Sequence, residues 1–461
     1  MPSPRRLNEA DANFVVMGAA TGAPFVPVSL TVYEKPYPDP ATSEHLVEVM
    51  SRLLPAMHQR IARDPLSPAL PRWEDVPGFD PADHTVVLPA PGDGTLRAVI
   101  DWAQEWGRLP LPLDRPPWRS VSFEDVTVDG VPGRLVMLSQ FHHALIDGMG
   151  AARLAEHFYQ WGPDGELPEM PPAVERDTSG PWERWKGGWA SEGQKAKALA
   201  RNTARRLRWA AANPSAGKAR ARELGAALQR FQAEQGKEPL SPLLRRTSDR
   251  NRFDHLRVDL DRLRAGARAL GGSANDGFMA AVSIGLHRYH LEHGVRAPEL
   301  RTAMAINTRK ETDGHSGNEM VAAIMRLPLI DDAEAALKAC QAVSRAHRDD
   351  RDVLWLMDRS RAAINRMPKK LVAPMLAQGA GSLDLTLSNV KGIPIRSWVG
   401  GVEALETIPF VIGGPAASIT LLSGATHATI GIVTCPEAVT DPERLVQHLA
   451  TAVEEVSALA G

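Results

Sequence analysis

Two adjacent histidines at the end of an apolar run are the residues of this chain best placed to do chemistry. The segment Ser139-Gln140-Phe141-His142-His143-Ala144-Leu145-Ile146-Asp147-Gly148-Met149-Gly150 follows Leu135–Leu138. It precedes Ala151, Leu154, Ala155, Phe158 and Trp161, which recur at helical spacing. The pair therefore sits where a strand ends and the chain turns into a helix, a junction that holds side chains rigidly at a cleft rim. Neighbours on an extended backbone point to opposite sides, so one imidazole can face a cleft while the other faces inward. A neutral imidazole removes a proton near pH 7. Asp147 is placed to orient a ring or to hold the turn, and Gly148 permits positive φ. On residue types alone three readings stand: a general base, two ordinary histidines at a strand end, and a His-His-Asp metal set. Adjacent side chains diverge and no HxH or CxxC lies nearby, which weighs against the metal. There is no GxSxG elbow. Direct attack by an activated hydroxyl is then more economical than a covalent enzyme intermediate.

The elements that must position this segment are partly visible. Val121–Val128 and Leu135–Leu138 read as strands joined by an Asp129-Gly130 hairpin turn. Val86-Val87-Leu88 reads as a further strand, and Ala41 to Ala62 as a helix with Leu46, Val49, Leu53 and Met57 on one face. Beyond residue 240, strands are expected at Phe253–Leu260, Arg301–Asn307, Met320–Leu329, Leu383–Asn389, Ala417–Leu422 and His427–Val433. Helices are expected at Leu260–Leu270, Ser273–His290 and Pro442–Leu459, with Ser273 as an N-cap and Asp276 three residues on. Strands alternating with helices indicate an α/β chain.

The 461 residues carry 53 Lys and Arg against 55 Asp and Glu, a net charge of −2 that excludes nucleic-acid binding through the whole surface. At 43% hydrophobic and 23% charged the chain is an ordinary globular one. Cys340 and Cys435 are too few for a disulfide framework or a CxxC zinc cluster, which suits a reducing, cytoplasmic compartment. The stretch from Met1 to Phe14 lacks the apolar core of a signal peptide, and no run of 18 apolar residues suggests a membrane span. Composition shifts in the middle. Between Trp182 and Arg230 there are 12 Lys/Arg against Glu183, Glu192 and Glu223. Trp182, Trp185 and Trp189 fall on one helical face. A helical connector packed on a domain, a contact with an anionic lipid surface and a dock for a phosphate-bearing ligand all fit that composition. The expected divisions are 1–175, a basic helical connector at 176–240, and 241–461.

His142-His143-Ala144-Leu145-Ile146-Asp147-Gly148 resembles the HHxxxDG signature of the chloramphenicol acetyltransferase and peptide-synthetase condensation superfamily. Within it the whole chain looks like the bacterial wax ester synthase/acyl-CoA:diacylglycerol acyltransferase family. Leu7 to Phe14, with Asp11, resembles that family's opening LxxxDxxF stretch. Arg115-Pro116-Pro117-Trp118 stands at its PLW motif, with Pro117 departing from leucine. Asn275-Asp276 resembles the ND helix start and Gly317-Asn318 the GN pair. Ser388-Asn389-Val390-Lys391-Gly392-Ile393-Pro394 resembles the (S/T)NVPGP segment, with Lys391 and Ile393 departing. Order and spacing hold over nearly the full length.

The resemblance implies two chloramphenicol-acetyltransferase-like α/β domains joined by a helical connector, with an active-site tunnel between them. It implies His143 as the general base that deprotonates an acceptor hydroxyl as it attacks an acyl-CoA thioester. His142 and Asp147 would serve mainly as supports, and Gly148, Asp276 and Asn318 would be motif positions. Asn275 would polarise the thioester carbonyl or position the acceptor, while simple helix capping accounts for Asn275-Asp276 equally well. Ser388, Asn389 and Trp118 would line the substrate path, although Trp118 also suits a core position. The expected activity is transfer of a fatty acyl group to a long-chain alcohol or diacylglycerol. The expected set is acyl-CoA as co-substrate, no bound cofactor or metal, and a peripheral membrane or lipid-inclusion surface as partner. An acyltransferase with another hydroxyl or amine acceptor, or a non-catalytic lipid-binding protein of the same fold, is the alternative. Gly148-Met149-Gly150 lacks the third glycine of a dinucleotide loop, and Leu270-Gly271-Gly272-Ser273-Ala274 has alanine where a carrier protein has its modified serine, so neither NAD nor a carrier is expected.

Overall fold

In a computed structural model, residues 6–21, 26–36, 40–64, 67, 69–145, 157–172, 179–307 and 320–461 are described. The first part of the chain gives α1 (Glu9–Thr21), β1 (Val26–Tyr33), α2 (Pro40–Leu53), β2 (Gln59–Ala62), β3 (Arg72–Asp75), β4 (Thr85–Pro89), α3 (Leu96–Arg108), β5 (Trp118–Val128) and β6 (Val131–Phe141). Two long helices follow, α4 (Pro181–Ala212) and α5 (Pro214–Glu234). The remainder gives β7 (Arg252–Val258), α6 (Leu260–Ala269), α7 (Ala274–Glu292), β8 (Glu299–Asn307), β9 (Met320–Pro328), α8 (Ala333–Asp349), α9 (Arg351–Ile364) and α10 (Lys369–Gly381). It closes with β10 (Leu385–Val390), β11 (Ser397–Val399), β12 (Val402–Ile412), β13 (Ala417–Leu422), β14 (Ala428–Thr434) and α11 (Pro442–Ser457).

These strands form two six-stranded mixed sheets. One runs β11-β12-β1-β6-β5-β4 and the other β7-β14-β13-β10-β8-β9, with β2 and β3 as a separate hairpin. The β5–β6 hairpin turns where the sequence predicts, with Asp129 and Gly130 both at positive φ (52° and 78°), the conformation that two-residue hairpin turns require. The predicted helix over 41–62 is shorter. It stops at Leu53, Pro55 opens a 3₁₀ turn, and Gln59–Ala62 pairs with Arg72–Asp75 as a strand. A proline cannot donate to the preceding turn, so the helical pattern ends there.

The tripartite division at 175 and 240 does not capture one exchange. Strands β11 and β12 belong by sequence to the last part yet complete the first sheet, with Val26 to Tyr33 paired antiparallel to Ile412 through Ala404. The two sheets meet closely here. Phe253 of β7 stacks on Phe410 of β12 at 4.5 Å, and a Cβ built on Gly431 of β14 would lie 1.7 Å from the Pro409 carbonyl oxygen. Only glycine permits that approach. Arg257 of β7 also reaches Glu406 of β12 through two hydrogen bonds, 2.8 and 2.5 Å. Between the two parts, α4 and α5 are held at their far end by Arg220 and Arg230, which pair with Asp352 and Asp350 at the start of α9. Among the described residues, no helix is long and apolar enough to cross a membrane.

Candidate active site

Strand β6 lies in the middle of the first sheet, between β1 and β5. Its end is tied down by side chains. Gln140 is buried, donates to the Gly107 carbonyl at 2.8 Å and accepts from Arg119 Nε at 2.7 Å. Arg119 itself caps the carbonyls of Trp106 and Leu109 and lies over the Trp106 ring. A buried amide with both ends satisfied fixes its backbone, and here that backbone is two residues before the histidines. The His142 N–H then donates to the Pro117 carbonyl at 2.8 Å, and the Leu145 N–H closes a turn on the His142 carbonyl.

The two rings diverge in environment. His142 points into the protein, and its Nδ1 accepts the Ala144 N–H at 3.1 Å, so the proton of the neutral ring sits on Nε2. Burial, reinforced by the neighbouring His143, holds its pKa down at about 4. The ring is therefore an uncharged brace at pH 7. Because the folded pKa lies below the ordinary 6.5, the unfolded chain takes up the proton first on acidification. This group's contribution is complete above about 6.5 and is lost as pH falls to about 4, a loss of about 3 kcal/mol. The stability difference between wild type and His142→Gln, from urea unfolding, is expected to shrink by that amount across this window.

His143 is half-buried and lies flat against Phe14 of α1, with ring centroids 4.0 Å apart and planes 8° apart. The opening LxxxDxxF stretch thus acquires a physical role for its last residue, which spacing alone did not reveal. Helix α1 is in turn held by the last part of the chain. It packs on α10, Asn365 donates to the Glu9 carbonyl at 2.7 Å, and Arg366 pairs with the Glu9 carboxylate at 2.6 Å.

Trp118 pairs in register with Phe141. Its indole is buried, with Nε1–H donating to the Met57 carbonyl at 2.9 Å, in a cluster with Ala12, Val15, Ile61, Trp73, Ala144 and Leu145. That places it beneath the histidine turn as packing. Trp118→Ala is expected to cost about 3–5 kcal/mol of stability in urea unfolding. Trp118→Phe, which keeps most of the volume, is expected to cost less than half of that.

A second group of predicted residues comes together from distant sequence. Asn389, at the end of β10, donates through Nδ2 to Asn275 Oδ1 at 3.2 Å, and Asn275 sits in the first turn of α7. Ser388 precedes it on β10, beside Thr420 of β13. Asp276 is a cap. One carboxylate oxygen accepts Ser273 N–H and Oγ–H at 2.8 and 2.7 Å, and the other accepts the Ser344 hydroxyl of α8. It thereby fastens α8 to the start of α7. Asp147, Gly148 and Asn318 lie outside the described residues. Among the described residues there is no cluster of His, Cys, Asp and Glu suited to a metal ion.

Two mixed sheets packed on each other through β12 and β14, the first completed by β11 and β12 from the last part of the chain and its central strand closed by a histidine pair, define a fold class seen in solved structures. The Marinobacter aquaeolei VT8 wax ester synthase/diacylglycerol acyltransferase superposes with a TM-score of 0.62 at 17% identity, over 99% of this chain and 100% of that one. The first condensation domain of the calcium-dependent antibiotic synthetase, with a bound substrate analogue, superposes at 0.63 and 18%, over 100% and 97%. Sequence narrows the class. The wax ester synthase/diacylglycerol acyltransferase catalytic domain matches residues 7–278, the C-terminal domain of the same family matches 316–457, and the chain belongs to that family of O-acyltransferases. A Mycobacterium tuberculosis H37Rv protein named as a diacylglycerol O-acyltransferase is 27% identical over 90% of this chain and 84% of its own length. The O-acyltransferase WSD of Acinetobacter baylyi is 22% identical over 82% and 81%.

Proposed function

We propose that the protein transfers a fatty acyl group from acyl-CoA to the hydroxyl of a long-chain alcohol or diacylglycerol, with His143 as general base. The observation that carries this is the placement of His143, at the end of a rigid central strand, half-buried and stacked on Phe14. His142, neutral and turned inward, is its support. His143 takes the acceptor's proton as that oxygen attacks the thioester carbonyl. The tetrahedral intermediate expels the CoA sulfur, which takes the proton back from His143, leaving ester and free thiol without an acyl-enzyme. The Asn389 amide donates to Asn275 Oδ1, and Asn275 Nδ2 lies 3.5 Å from Met279 Sδ, a weak acceptor; in this mechanism that amide exchanges the sulfur contact for the developing oxyanion. In this reading substrates meet in a tunnel between the two halves, the enzyme needs no bound cofactor, and it works at a membrane or lipid-inclusion surface from the cytoplasm.

The test is CoA-thiol release from long-chain acyl-CoA by the purified protein, with hexadecanol, with diacylglycerol or with neither. Acceptor-dependent release supports the reading and ranks the two lipids. Absence of release with both, from protein shown to be folded, overturns it. The departures at Pro117, Lys391 and Ile393 make an alternative hydroxyl or amine acceptor the next to assay.

A further inference from the structure

On the far side of the β2–β3 hairpin from the histidine turn, a groove of about 590 Å³ is lined by Arg60, Arg63, Arg72, Arg184, Trp182 and Trp185. Five guanidiniums gather around two carboxylates. Asp64 pairs with Arg6 and Arg72, at 2.9 and 3.0 Å. Glu74 pairs with Arg60, Arg72 and Arg184, at 2.7, 2.8 and 3.6 Å. Arg63 has no ion pair among the described residues, so the groove lining, with four guanidiniums against Asp64 and Glu74, holds two positive charges in excess. Arg72 is only 5% exposed, yet its Nη1 meets no acceptor among the described residues, and neither does the buried Nε of Arg184. A buried guanidinium N–H left without an acceptor is costly. A phosphate, with several acceptor oxygens, is the ligand that guanidinium forks match.

The rim states which phosphate. Trp182 and Trp185 stack at 5.0 Å, with Lys186 over the outer ring. Trp182 is 63% exposed and Trp189 47% exposed, which leaves aromatic surface open to water beside the guanidiniums. Farther along α4, Glu192 pairs with Arg366 at 3.0 Å. Past Arg366, Leu371 and Met375, at 66% and 51%, add exposed apolar surface on α10. Exposed tryptophans beside guanidiniums are the composition of a protein face seated at a lipid headgroup layer.

We propose that this groove binds the phosphate of an anionic phospholipid headgroup, while Trp182, Trp189, Leu371 and Met375 enter the lipid surface around it. The inference deepens the lipid-acceptor reading and rests on it for its purpose. Ile61 and Trp73 of the hairpin share a core cluster with Ala144 and Leu145, so lipid seated in the groove lies one hairpin away from the histidine turn.

The experiment is co-sedimentation of the full chain with vesicles of phosphatidylcholine alone or with 30 mol% phosphatidylglycerol, for wild type and Arg60→Glu/Arg63→Glu. Both side chains are surface-accessible, and an unchanged unfolding midpoint shows that the variant folds. Wild type is expected to bind the anionic vesicles roughly tenfold or more tightly, and the variant to lose that preference. Turnover of butyryl-CoA with butanol, which needs no surface, is expected to be unchanged. An anionic preference that survives in the variant, or is missing in wild type, overturns the proposal. So does binding of adenosine 3′,5′-bisphosphate that the variant abolishes, which would assign the groove to a nucleotide. Vesicle binding is read without turnover, so failure of the acyltransferase reading and failure of this one are separate results.

Discussion

His143→Ala is expected to lower acyl-transfer turnover by about three to four orders of magnitude while the protein remains folded. A positioned general base contributes about 10²–10⁴-fold, and this ring has the features that put it at the upper end. It stands at the end of a strand bonded on both sides, and its plane is set by Phe14 at 4.0 Å. Removing it leaves no second imidazole to substitute, because the Nδ1 lone pair of His142 is already occupied by the Ala144 N–H, its other nitrogen carries the proton, and burial makes that ring a weak base. The measurement is CoA-thiol release under saturating acyl-CoA, with circular dichroism as the folding control. Phe14→Ala serves as the graded companion. Losing an aromatic stack worth about 0.5–1.5 kcal/mol is expected to cost roughly tenfold in turnover. If His143→Ala retains more than a tenth of wild-type turnover, His143 is not the base.

The second large effect is on stability. Glu406→Ala is expected to destabilise the protein by about 1.5–3 kcal/mol, because it removes charge-assisted hydrogen bonds between the two sheets, while Arg257 keeps its ion pair with Asp129 at 2.7 Å. The Glu406 side chain is only 3% exposed and binds Arg257 through both oxygens, with His427 on one of them. Burial by itself would raise this carboxyl's pKa. The hydrogen bonds from Arg257 and His427, with the charge of Arg257, outweigh it and hold the pKa at about 2. The sign follows: the stabilisation is complete above the ordinary 4.5 and is lost as pH falls toward 2. Urea unfolding at pH 7 and pH 3.5 should therefore show a smaller gap between wild type and variant at the lower pH. An equal gap would mean that packing rather than charge holds the sheets together here.

How much of this was legible in sequence depended on the range of the interaction. The β5–β6 hairpin, the capped start of α7 and the strand–turn placement of the histidines are written in short spacings, because turn chemistry, capping and alternation are local. Strands such as Ala417–Leu422 and Ala428–Thr434 also read directly, being short runs rich in Ile, Val, Leu and Thr and buried on both faces. Strands β1 and β12 do not stand out. Their membership of one sheet is set by pairing between residues about 380 apart, which no local period encodes. The same holds for the site. The Asn275–Asn389 contact joins two motif fragments 114 residues apart, and the role of Phe14 depends on α1 being carried to the histidine turn by α10. Trp118 combines a motif position with a core position, and residue type alone does not separate the two.

The exchange of β12 into the first sheet also bears on how the chain is made. During synthesis, β1 and β6 emerge early, but the neighbour that covers the outer edge of β1 ends at Ile412. At about 5–20 residues per second, that edge stands open for roughly twenty seconds to more than a minute after Tyr33 leaves the ribosome. An unpaired strand edge is a template for association with other chains. The nascent first half is therefore expected to stay open to association until its last strand arrives. Expression of residues 1–240 alone is then a route to aggregate rather than to a domain.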